Sequence, residues 1–207
     1  MMLTSSTLLC STAAFAQSAS PPTGRPAYGV TAGVNFANVG GSDVENSDTR
    51  TGLVAGVYAS WPMQNGFSFR PSVLYSMEGA KASELGIDAT LRMDYIRVPV
   101  MFRYTWPMAG TSRPFVALGP SFGYQLKCDE TASFNGGSVT ESCDAAAEGD
   151  SQRKKFDVSG RVEAGLDFAM SGRTLSIGGA YSYGFTDVAT HADAKNRVFS
   201  IFLAIGL

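Results

Sequence analysis

The stretch DYIRVPVMFRYTW, Asp94 to Trp106, alternates from end to end. Ile96, Val98, Val100, Phe102, Tyr104 and Trp106 fall on one side, and Tyr95, Arg97, Pro99, Met101, Arg103 and Thr105 on the other. A period of two belongs to an extended strand, whose successive side chains point to opposite faces. One face is unbroken in its apolarity and closes on two amphipathic aromatics, while the other carries two arginines. A tilted strand of about 9–11 residues crosses the hydrocarbon layer of a bilayer. The pattern predicts a membrane-spanning strand.

Working outward, the same period predicts seven more strands: Tyr28 to Phe36, Leu53 to Trp61, Phe67 to Gly79, Pro114 to Leu126, Phe156 to Met170, Thr174 to Phe185 and Val198 to Leu207. Leu74 breaks the alternation of the third. Connections alternate in length. PMQNG (Pro62 to Gly66), PMAGTSR and Ser171-Gly172 are tight turns rich in the expected residues. Between them stand longer polar loops: NVGGSDVENSDTR, Lys81 to Ala89, and the longest, Lys127 to Lys154. Short turns at one end and long loops at the other is the asymmetry of outer-membrane barrels. The expected fold is all-β, an eight-stranded antiparallel up-and-down transmembrane β-barrel over residues 27–207.

Three features choose which face is inside. Aromatics of the apolar face gather near strand ends, with Trp61, Phe67, Tyr104, Trp106 and Phe168 toward the turns and Phe36, Tyr75, Tyr124, Phe156, Tyr183 and Phe185 toward the loops. Two such girdles flanking an aliphatic band suit a barrel meeting both bilayer interfaces. The opposite face is dominated by Gly, Ser, Ala and Thr, which fit the narrow interior of eight strands. Its charges balance: Arg70, Arg97, Arg103 and Arg161 against Glu78, Asp157, Glu163 and Asp167. Confined charges are tolerated when paired and hydrogen-bonded, so an ion-pair network plugging the lumen is expected. Lipid also forbids an open sheet edge, which demands closure. Pro71, Pro99 and Pro120 lack the ladder donor, and bulges are the expected accommodation.

Composition excludes other classes. The chain has 207 residues and a net charge of −2, which gives no electrostatic case for nucleic acid. Glycine makes up 23 residues, about 11% against a usual ~7%, as suits a turn-rich β protein. Nowhere do 18 apolar residues run together, so no membrane-crossing helix is expected. The N-terminus reads as a signal peptide over residues 1–16, with Ala14-Phe15-Ala16 as the small-x-small cleavage site, followed by a linker over residues 17–26. Cys10 would leave with the leader. Cys128 and Cys143 then bracket a polar segment in an exported chain; they either close a disulfide loop, for which chain entropy gives about 3 kcal/mol, or stand as free thiols.

The segments YGVTAGVNFANV, FRPSVLYSMEGAK, DYIRVPVMFRY, ALGPSFGY and YSYGFTDV, in this order and spacing, resemble the PorT-like outer-membrane β-barrel family over about Tyr28 to Leu207. The resemblance implies an eight-stranded barrel in the outer membrane of a Gram-negative cell and little about activity. Leu207 departs from the usual aromatic last residue of such barrels.

Catalytic chemistry has one candidate. His191, between Thr190 and the Ala192-Asp193 pair, has a hydroxyl and a carboxylate nearby for acyl transfer, but a solvated loop histidine is the favoured reading. No metal-ligand spacing, phosphate loop or paired thiol motif is present, and neither a cofactor nor a metal is expected. Lys127 to Arg153 carries six acids (Asp129, Glu130, Glu141, Asp144, Glu148, Asp150) and two bases, net −4; a solvated surface is favoured over a cation or basic-partner site. The expected protein is therefore a non-enzymatic, monomeric outer-membrane barrel with a structural or surface-recognition role. Its expected partners are outer-membrane lipids, the outer-membrane assembly machinery and an extracellular ligand. A lipid-modifying enzyme and a soluble lipocalin-like carrier are the competing readings.

Overall fold

The computed structural model describes residues 24–40, 48–84, 87–134, 137–143, 155–189 and 192–207. Nine strands form among them: β1 (Ala27–Gly40), β2 (Asp48–Pro62), β3 (Phe67–Glu84), β4 (Ile87–Thr105), β5 (Ser112–Phe134), β6 (Gly137–Ser142), β7 (Phe156–Met170), β8 (Arg173–Ala189) and β9 (Ala192–Gly206). All pair antiparallel with their neighbours. β1 lies between β2 and β9, and β4 pairs with β5, so eight strands close into a barrel with β6 appended to β5. The sequence-predicted signal peptide, His191, Asp144, Glu148 and Asp150 lie outside the described residues.

Alternation assigns the faces as the period predicts. Val30, Leu53, Val57, Val73, Phe102, Leu118, Val162, Ile177, Ile201 and Leu203 are exposed on the outer wall. Charged and small side chains turn inward: Arg97, Glu78, Asp157, Ser159, Ser182 and Ser200 are all buried. In water such an arrangement would leave the wall unsatisfied; in hydrocarbon it is the stable one. The ends toward Gln64–Gly66 and Ser171–Gly172 are tight. Asn65 (φ 59°) and Gly66 (φ 82°) turn β2 into β3, and Ser171 and Gly172 join β7 to β8, all with positive φ.

Three expectations need correction. The loops predicted at Lys81 to Ala89 and from Lys127 onward are largely strand: β3 and β4 stay paired up to Glu84↔Ile87, and β5 continues to Phe134 before folding back into β6. Residues 81–83 and all of β6 are exposed, and no continuous alternating apolar face marks these parts in the sequence. The interior is also less uniformly small than expected. Tyr58, Leu74, Met93, Tyr95, Met101, Phe115 and Phe202 are buried within it. Finally, the prolines are not accommodated by bulges. The paired residues skip 59–60 with 70–71 between β2 and β3, 72–73 with 98–99 between β3 and β4, and 100–101 with 119–120 between β4 and β5, while the register on either side is unchanged. Each proline simply leaves a lapse in one ladder and keeps its other neighbour, as in Pro71↔Val100, Pro99↔Ser121 and Pro120↔Gly160. The bulge in β5 is elsewhere, opposite Asp94 and Tyr95.

Candidate functional site

The lumen holds the chemistry, and it divides along the barrel axis. β3 climbs from turn to loop, whereas β4 and β7 descend, so Glu78, Arg97 and Asp157 meet in the loop-side half. Arg97 donates from Nε and Nη2 to Glu78 (Nη2–Oε2 2.6 Å) and from Nη1 to Asp157 Oδ2 at 2.6 Å. Glu78 also accepts from Ser76 Oγ at 2.8 Å and from Asn196 Nδ2. Ser200 donates to Asn35 and Asn35 to Ser76, both at 2.8 Å, while Thr186 donates to Asp157 at 2.9 Å. The polar chain thus runs from β9 through β1, β3 and β4 to β7 and β8, spanning the lumen. Gly123 makes room for it, because a Cβ there would lie 2.8 Å from Arg97 Nη1.

Above this layer, Val39, Met93, Tyr95, Cys128 and Cys143 form a small apolar cluster at the loop end. Cys128 and Cys143 are joined in a disulfide, Cα–Cα 5.3 Å, which ties the end of β6 back to β5. Outside it, Lys127 donates to Asp129 at 2.7 Å, and this bond holds the exposed ammonium above the ordinary lysine range.

The turn-side half is built differently. Tyr58, Phe115, Ala180, Phe202 and Ala204 pack together inside the wall. The Arg70 guanidinium lies 3.4 Å over the Tyr58 ring and that of Arg103 3.5 Å over Phe115, an arrangement worth more when desolvated. Arg103 pairs with Asp167, which also accepts from Ser176 Oγ at 2.6 Å. Between the halves, Arg161 binds Glu163 at 2.8 Å and Ser182 at 3.2 Å.

The eight residues of the expected network therefore sit in separate groups. Arg97, Glu78 and Asp157 form one, Arg103 and Asp167 a second, and Arg161 and Glu163 a third, while Arg70 meets a ring and pairs with no carboxylate among the described residues. The count of four against four is also incomplete. Arg50 turns inward to the Glu78 carbonyl, and Arg113 stands on the inward parity of β5, opposite Asp167. Both lie just outside the strand starts predicted at Leu53 and Pro114, which followed the first apolar residue.

On the outer wall the aromatics occupy the two ends. Phe67 and Tyr104 (4.9 Å between centroids), Tyr104 and Trp106 (5.0 Å), and Trp61 with Phe69 (6.1 Å) cluster toward the turns. Phe36 with Phe199, Phe122 with Phe156, and Tyr183 with Phe185 do so toward the loops, where Tyr75 donates to Asp94 at 2.7 Å. Tyr124 is exposed at the same end, and Phe168 is half-buried at the other. Among the described residues no group of His, Cys, Asp and Glu has the arrangement of a metal site.

Known proteins resemble the chain at the level of architecture. Neisserial surface protein A matches with 16% identity over 86% of this chain and 96% of its own, TM-score 0.48. OprG of Pseudomonas aeruginosa matches with 10% identity over 87% and 95%, TM-score 0.48. The outer membrane enzyme PagL matches with 13% identity over 85% and 97%, TM-score 0.47. No curated protein sequence matches. A family model described as the outer membrane protein beta-barrel domain matches residues 15–190. With most of its length matched, a closed eight-stranded wall and an apolar outer face, the chain belongs to the outer membrane protein β-barrel domain family.

Proposed function

We propose that the chain is a monomeric, non-conducting outer-membrane barrel of the PorT-like kind, with a structural or surface-recognition role rather than a catalytic one. The observation that carries this reading is the polar chain from Ser200 to Thr186 across the lumen, with packed aromatic rings beneath it. Buried charges with hydrogen-bonded partners resist displacement, since opening a path strands a carboxylate or a guanidinium in a low-dielectric interior. The aromatic groups at both ends of the outer wall act as interfacial girdles toward outer-membrane lipids. A cleaved leader, residues 1–16, and insertion by the outer-membrane assembly machinery complete the proposal.

Recognition belongs to the outer end. β3, β4 and β5 have 18, 19 and 23 residues, far beyond the roughly 9–11 that cross hydrocarbon. With β6 they raise a sheet above the loop-side rim whose outward face is polar and whose acids include Asp129, Glu130 and Glu141. Planar-bilayer recording of the refolded protein tests the plug: no stable wide conductance is expected, and a reproducible one overturns it. Replacing residues 131–140 by a short turn tests the role of the sheet. Barrel assembly, read from gel mobility before and after boiling, is expected to survive; its loss would make the sheet structural instead.

A further inference from the structure

We propose that Arg70, Arg103 and Arg113, grouped about Asp167, form a binding site for a phosphate-type oxoanion at the turn-side mouth of the lumen. Arg103 is 4% exposed, and its Nη1, away from the Nη2 bonded to Asp167, is buried without an acceptor. Arg113 stands directly across the β5–β7 ladder from Asp167, and its Nε is likewise buried and unanswered. Arg70 is 7% exposed; it is repelled by Arg103 and attracted by Glu163 and Asp167, yet no carboxylate among the described residues forms an ion pair with it. Glu163 is already held by Arg161.

Among the described residues Asp167 thus pairs with Arg103 alone, while Arg113 stands across the ladder from it and Arg70 lies over the Tyr58 ring, in the half of the lumen where Tyr58, Phe115 and Phe202 pack together. Unpaired charge in such surroundings is costly, and a buried N–H without an acceptor adds to the cost. One anion answers both deficits. A tetrahedral oxoanion fits best, because guanidinium forks bind two of its oxygens at once. Entry is from the turn side: Arg113 is the second residue of β5, beside the exposed turn at residues 106–111, and is only half-buried. At that height two sources carry the same chemistry, free phosphate and the headgroup phosphate of a lipid in the facing leaflet.

The test uses the refolded mature chain in a phosphate-free, non-ionic detergent, with the heat-unfolding midpoint read by gel mobility at constant ionic strength. Inorganic phosphate and short-chain phosphatidic acid are titrated separately against chloride. A saturable rise with inorganic phosphate assigns the free anion, and a rise with phosphatidic acid alone assigns the lipid. Arg113→Gln, at the rim, is expected to abolish the rise, and Arg113→Lys, which keeps charge but loses the fork, to retain only part of it. Midpoints that rise no more with either phosphate source than with chloride, or a response undiminished in both variants, overturn the proposal. If Arg113→Gln does not refold, the phosphate response of Arg113→Lys alone decides by the same criterion. The site stands whether or not the lumen conducts.

Discussion

At the scale of single residues, Arg97 is the pivot of the loop-side lumen, because one guanidinium serves two carboxylates. Arg97→Met leaves Glu78 and Asp157 buried and uncompensated, and the expected loss is about 3–5 kcal/mol, measurable as a lowered midpoint in urea unfolding followed by tryptophan fluorescence. Glu78→Gln, which still leaves Arg97 one carboxylate, is expected to cost less than half as much in the same assay. Gly123→Val should resemble the arginine variant more than an ordinary strand substitution, since its side chain occupies the space of the Arg97 head group. Most of the charged lumen residues were legible from alternation alone. Arg50 and Arg113 were not, because a strand entering water needs no apolar residue at its first position, and that residue was the only marker available. Which acid meets which base was also illegible: register across the barrel decides it, and register is a property of pairs of strands.

At the scale of elements, the β5–β6 hairpin and its disulfide were half visible. The two cysteines were legible as a possible pair, but the strand between them was not. GSVTES at β6 has no alternating apolar face, and all six residues are exposed. Its strand character comes from lying against Asp129 to Phe134. Closing a loop with a sequence separation of 15 is worth about 3 kcal/mol in the chain-entropy model. Because that constraint acts on the hairpin, Cys128→Ser with Cys143→Ser is expected to leave the barrel's heat-shifted mobility intact. Limited proteolysis should then cut first within residues 129–143, where the disulfide-bonded chain is expected to resist; equal resistance would show that the bond does not brace the hairpin.

At the scale of the whole molecule, closure and the outward turn of the apolar face were both readable in advance, because lipid enforces them on every strand together. Trp61 and Trp106 share the turn-side end of the outer wall. In bilayers of brominated lipid, bromines placed high on the chains are expected to quench both tryptophans more strongly than bromines at mid-chain. Stronger quenching from mid-chain would displace the turn-side girdle from the interface.

The proline lapses fall between β2 and β3, β3 and β4, and β4 and β5, three consecutive seams of the wall. Where the first and last strands meet, by contrast, Gly29 to Gly40 pair without interruption with Gly206 to Lys195. The closing line is thus the better stitched side, and the softer flank is made of strands from the middle of the chain. Deuterium should enter the backbone there first, beside Pro71, Pro99 and Pro120, and last along the join of the two ends.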